Sequence, residues 1–105
     1  MIVKSRDAKK RESKGIDLDV LAVGQQSMLI RVYCKAGDSI PAHSHPNEQT
    51  GYIVSGKVRL TIDGRAETLE PGDSYSIPAD VPHSLDALAD SVVLDFFVPP
   101  RADYL

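Results

Sequence analysis

Two histidines stand two residues apart in the stretch 37–56, which reads GDSIPAHSHPNEQTGYIVSG. On an extended strand His43 and His45 leave by the same face, because strand side chains alternate with a period of two. Gln49 keeps that parity, whereas Glu48 falls on the opposite face. Two imidazole nitrogens and an amide oxygen converging from one face can begin a metal site, since imidazole suits several first-row divalent metals. The third histidine, His83, arrives only after a turn-rich connection. This pattern points to a site assembled from two strands. Taken by itself, His-x-His is also compatible with a solvated surface pair.

A second chemical feature is Asp95, in the middle of the apolar run Ser91–Val98, SVVLDFFV. By alternation it shares a face with Val93 and Phe97. A carboxyl there is costly unless paired or protonated. Burial would raise its pKa and make it a general acid or base near neutral pH. The alternative is an ion pair with Arg31 or Arg59. Arg101 follows Pro99-Pro100, which would hold its guanidinium at the rim of the fold, where it suits a carboxylate; a solvated terminal arginine is the alternative.

The elements that must position these groups read as strands. Met28, Ile30, Val32 and Cys34 alternate with Leu29, Arg31 and Tyr33, and Val58, Leu60 and Ile62 alternate with Lys57, Arg59 and Thr61. Asp63-Gly64 predicts a two-residue hairpin into Arg65–Leu69. Ile16–Val23 is a short apolar-polar stretch after Gly15; further strands are expected over Ser74–Ile77, 83–88 and Ser91–Val98, and no stretch reads as a helix. Many short strands separated by turns indicate an antiparallel sandwich or barrel.

A chain of 105 residues supports one core rather than two. It is 42% hydrophobic and 26% charged, ordinary for a soluble globular chain. No apolar run approaches a membrane span, and the N-terminus lacks the apolar centre of a secretory signal. The single cysteine, Cys34, cannot form an internal disulfide, which fits a reducing cytoplasm; it reads as a small buried hydrophobe. The net charge of −3 conceals an asymmetry, with six Lys/Arg against two acidic residues over 1–14 and an acidic remainder. Without aromatic or motif support, that basic patch does not indicate nucleic acid. The expected organisation is a basic N-terminal arm over 1–15, solvated or added as a strand to a neighbouring subunit, and a β-domain over 16–105.

The two histidine-bearing stretches resemble the paired motifs of the cupin superfamily. Gly37, His43, His45 and Gly56 fit the first motif, with Gln49 at its glutamate position; Gly72, Pro78 and His83 fit the second, with Asp80 at its inner glycine and Ala87 at its asparagine. The resemblance runs from about Met28 onward and implies a single-domain antiparallel jelly-roll β-barrel with the site in its mouth. The expected ligands are His43, His45, Gln49 and His83, holding zinc, nickel, iron, cobalt or manganese; Gln49 could instead hydrogen-bond a bound water. A neutral ligand set leaves the ion's charge uncompensated and would attract an anionic ligand.

HSHPNEQTGYIVSGK, PGDSYSIPADVPHS and LDFFVPPRADYL are together similar to small cupins of the pectin-degradation type known as KdgF. Asn47 stands where many of those relatives have His, and the arm before Met28 has no clear counterpart. The resemblance implies linearisation of 4,5-unsaturated uronate monosaccharides from pectin or alginate. In this chain Asp95 would be the acid/base carboxylate, with Phe97 and Arg101 contacting a small anionic sugar or organic acid. It also implies a homodimer. A cupin-type iron dioxygenase and a non-catalytic small-molecule binder are the competing functions.

Overall fold

The computed structural model describes all residues, Met1–Leu105. Ten strands follow in chain order: β1 (Lys9–Ser13), β2 (Ile16–Val23), β3 (Met28–Cys34), β4 (Ser39–His43), β5 (Glu48–Ser55), β6 (Val58–Ile62), β7 (Arg65–Leu69), β8 (Ser74–Ile77), β9 (His83–Ala87) and β10 (Ser91–Val98). They form two antiparallel sheets, β1-β2-β3-β10-β5-β8 and β4-β9-β6-β7. No strand pairing joins the sheets at their edges, so the expected barrel is an open double-sheet arrangement rather than a closed cylinder. The only helical pieces are single 3₁₀ turns at Ser5–Asp7 and Ala102–Tyr104, and no helix is long and apolar enough to cross a membrane.

Alternation along the strands decides which face is buried. Met28, Ile30, Val32 and Cys34 of β3 meet Ile53, Val93 and Phe97 in the core, and Val58, Leu60, Leu85 and Ala87 come from the facing sheet. Burial pushes the Cys34 thiol up to about 11, with nearby carboxylates adding to it, so it behaves as a packed apolar group. Asp63-Gly64 makes the expected β6–β7 turn, with φ of 49° and 80° and Ile62 paired to Arg65, the positive-φ pattern of a type I′ hairpin.

The basic N-terminal segment departs from expectation. Lys9–Ser13 are not a solvated arm: they pair with β2 of the same chain, Ser13 opposite Ile16, through a tight turn at Lys14-Gly15. Lys14 has φ 54° and Gly15 φ 80°, so this is also a positive-φ turn. Lysine is a poor marker for it, because an L side chain resists the left-handed region.

The hairpin also completes an ionic cluster on the outer face. Asp19 of β2 lies opposite Lys10 of β1 and Arg31 of β3. It accepts hydrogen bonds from Lys10 Nζ at 2.6 Å, Arg31 Nη2 at 2.7 Å and Tyr33 Oη at 2.6 Å. Burial alone would raise the Asp19 pKa; bonds from Lys10, Tyr33 and Arg31 outweigh it and hold the carboxyl at about 2. A depressed folded-state pKa contributes stability above the unfolded value, lost as pH falls toward the folded one. Between pH 4 and pH 2 the wild type is expected to lose about 2 kcal/mol more than Asp19→Asn. Urea unfolding across that range checks this; parallel curves for the two proteins would refute it.

Candidate metal centre and acid–base site

The histidine-bearing stretch does not run as one strand. β4 ends at His43, residues 44–47 turn from the four-stranded sheet to the six-stranded one, and β5 begins at Glu48. His45 sits in that corner, so convergence with His43 comes from the bend and not from parity along one strand. His83 opens β9 directly opposite His43. Gln49 enters from β5 and is buried, while Glu48 points outward as its parity requires.

One ring nitrogen from each of His43, His45 and His83 can be chosen so that all lie within 4.8 Å of one another. In each ring Nδ1 faces a main-chain carbonyl: His43 to Pro41 O at 2.9 Å, His45 to Asn47 O at 3.0 Å, His83 to Val81 O at 2.9 Å. A carbonyl oxygen only accepts, so Nδ1 carries the proton and the Nε2 lone pair is left for another partner. His83 Nε2 is buried with no hydrogen bond. His45 Nε2 faces Gln49 Oε1 at 3.1 Å, two acceptors that a shared cation would satisfy. Burial is the main cause depressing the pKa of His43 and His45; the charge of Arg101 adds to it at His45. Neutral imidazoles are the form that binds metal. The donor set therefore fits a divalent transition metal.

Asp95 resolves against the ion-pair alternative. Arg31 is committed to Asp19 on the outer face, and Asp95 points inward, 7% exposed. Its pKa is raised by burial, against hydrogen bonds from Tyr75 and Gln49 that favour the carboxylate. The Tyr75 hydroxyl donates to Asp95 Oδ1, although β5 lies between their strands. Gly51 makes that reach workable, since it is the register partner of both Asp95 and Tyr75. A Cβ there would collide with the Tyr75 ring and hydroxyl and stand 2.6 Å from Asp95 Oδ1. Sequence reasoning missed both residues; the signal was a glycine inside a strand, which often marks a close approach.

Gly51→Ala is expected to cost about 1–3 kcal/mol through overpacking. It should cost clearly less in a Tyr75→Ala background, where the obstructing ring is gone. Thermal unfolding of the four proteins in this cycle measures the coupling, and strict additivity would contradict the steric account.

Asn47 also acquires a role. Its carbonyl orients His45, and its side-chain amide donates to Pro99 O at 2.7 Å, tying the corner to the segment that leads to Arg101. The Arg101 guanidinium lies 5.3 Å from the Phe97 ring centre and 4.5 Å from that of Tyr104, and Phe97 packs edge-on against His45. A cavity of about 160 Å³ joins these groups: His43, Gln49, His83, Asp95, Phe97 and Arg101 all line it over an apolar floor. His45 is not on that lining and meets the cluster from its flank. Arg59, the other suggested partner for Asp95, is exposed on β6.

Comparison with known proteins agrees with this fold. The cupin domain profile matches residues 30–98. The pectin degradation protein KdgF of Dickeya dadantii is 29% identical over 93 residues, 87% of this chain and 84% of that protein. The structure of KdgF from Halomonas sp. superposes with a TM-score of 0.92 at 29% identity, covering 100% of this chain and 98% of that one. An RmlC-like cupin from Shewanella frigidimarina superposes with a TM-score of 0.93 at 23% identity, covering 99% and 95%, a likeness of fold alone.

Proposed function

The chain belongs to the cupin domain family, and on that premise we propose that it is a metal-dependent enzyme linearising 4,5-unsaturated uronate monosaccharides. The observation that carries this reading is a buried carboxyl, Asp95, in the same cavity as His43 and His83, two of the three histidines whose ring nitrogens cluster within 4.8 Å. The likeness to two KdgF proteins supports the substrate class, and so does the cavity, smaller than the roughly 300–1,000 Å³ of drug-sized sites.

Linearisation breaks the C1–O5 ring bond. The anomeric hydroxyl loses its proton as C1 becomes an aldehyde, and C4 gains one as C5 becomes a ketone. The net change is an isomerisation with no atom gained or lost. Asp95 accepts the hydroxyl proton and returns a proton to C4. Burial, with the Asp95 charge adding to it, raises the Tyr75 pKa well above its ordinary value, so Tyr75 stays a donor and fixes Oδ1, leaving Oδ2 to act. Arg101, stacked against Phe97 and Tyr104, meets the sugar carboxylate at the rim. A divalent zinc, nickel, iron, cobalt or manganese ion held by His43, His45, Gln49 and His83 would supply Lewis acidity toward the substrate oxygens.

The test is the 4,5-double-bond absorbance of freshly released unsaturated galacturonate and guluronate with metal-loaded protein. Decay faster than the spontaneous rate supports the reading. No acceleration with any of these metals removes the substrate class.

A further inference from the structure

Four charged side chains line the cavity: the cations Lys14 and Arg101, and the carboxylates Asp95 and Asp103. Three already have partners. Asp95 is held by Tyr75. Arg101 donates to both oxygens of Asp103, Nε to Oδ1 at 3.3 Å and Nη2 to Oδ2 at 2.9 Å. Its charge is therefore largely matched before any ligand arrives. Lys14 takes part in none of the chain's ion pairs. It is exposed at the tip of the β1–β2 hairpin, and with its neighbour Ser13 it forms part of the cavity wall.

The backbone at Lys14 adds a second observation. Its φ of 54° lies in the left-handed region, in a turn whose chemistry favours Asn-Gly over Lys-Gly. A strained residue at the edge of a site is a reason to look for function there. Lysine brings a charge to this tip that the turn itself does not need. The hairpin is held against the C-terminal rim by Arg11 Nε, which donates to Tyr104 O at 3.2 Å. The tip and the Arg101 segment thus border one opening.

We propose that Lys14 is a specificity-determining residue, the free cation that meets the anionic group of the ligand at the cavity mouth. It acts beside Arg101, whose guanidinium must be shared with Asp103. The basic N-terminal segment is thereby part of the binding site. This inference rests on the uronate reading in taking the ligand to be an anionic sugar.

The experiment is calorimetric titration of the zinc-loaded protein with D-galacturonate, neutral D-galactose and malonate, for wild type, Lys14→Gln, Lys14→Arg and Lys14→Asn. Lys14→Gln is expected to weaken galacturonate binding about tenfold, with galactose unaffected and Lys14→Arg close to wild type. The difference should shrink at high salt, because the mouth is open to solvent. Lys14→Asn should show the same loss of affinity and yet raise Tm by about 2–5 °C, because asparagine suits the turn. Unchanged galacturonate affinity in Lys14→Gln overturns the proposal. If wild type binds malonate but not galacturonate, the uronate reading fails, and Lys14 stands or falls on whether Lys14→Gln weakens malonate. If wild type binds neither carboxylate, the proposal for Lys14 is overturned as well.

Discussion

Asp95→Asn is expected to lower turnover by about 10²–10⁴-fold while the fold and the metal content stay as they are. The amide has the shape of the carboxyl but cannot take a proton from the anomeric hydroxyl and pass one to C4. The surroundings are undemanding toward this change. Asp95 is buried on β10, its pKa is raised by that burial, and no cation pairs with it. The amide oxygen can still accept from Tyr75, so no ion pair is broken and no large loss of stability follows. Steady-state kinetics beside thermal unfolding separates the two roles. A drop in Tm with turnover intact would make Asp95 a structural residue.

Metal should dominate stability as well as activity. A ligand that binds only the folded chain adds about 2.7 kcal/mol at one hundred times its Kd, roughly 10–20 °C in Tm for a domain of this size. His83→Ala is expected to abolish that rise. The metal-free protein should tolerate the change better than loss of a fully bonded histidine, because His83 Nε2 is already buried without a partner. Its desolvation costs about 1–3 kcal/mol, a cost the substitution removes. Scanning calorimetry of chelator-treated and metal-loaded samples checks both signs. An equal metal-induced rise in wild type and His83→Ala would exclude His83 from the ligand set.

Much of this was legible in the sequence because it is local. Alternation marked β3 with its observed ends, Asp63-Gly64 marked its hairpin, and the spacing of His43, His45, Gln49 and His83 marked residues that do meet. What escaped depends on contacts across strands. The bend over 44–47 brings His45 to the cluster, yet an extended His-x-His predicts a similar convergence, so the sequence suggested the right neighbours through a different geometry. Tyr75 reaches Asp95 only because Gly51 has no side chain, and register between β8, β5 and β10 is not written in any one of them. Arg31 was a plausible partner for Asp95 until β2 supplied Asp19, a residue concealed in an apolar-polar stretch. The β1–β2 hairpin was hidden by its own turn residue, since Lys14 is an unusual occupant of the left-handed region. Closure of the barrel is a property of the sheet edges, which strand patterns do not encode, and the two sheets here remain separately paired.

The most direct measurement is a proton NMR time course of freshly released unsaturated galacturonate in D₂O with metal-loaded wild type and Asp95→Asn. With wild type the vinylic C4 signal should disappear faster than in buffer. The open-chain ketone should form with deuterium delivered to one face of C4. Asp95→Asn should return the reaction to the spontaneous rate with deuterium on both faces. Disappearance at the spontaneous rate in all three samples, with binding intact, would contradict the assignment of this site to uronate linearisation.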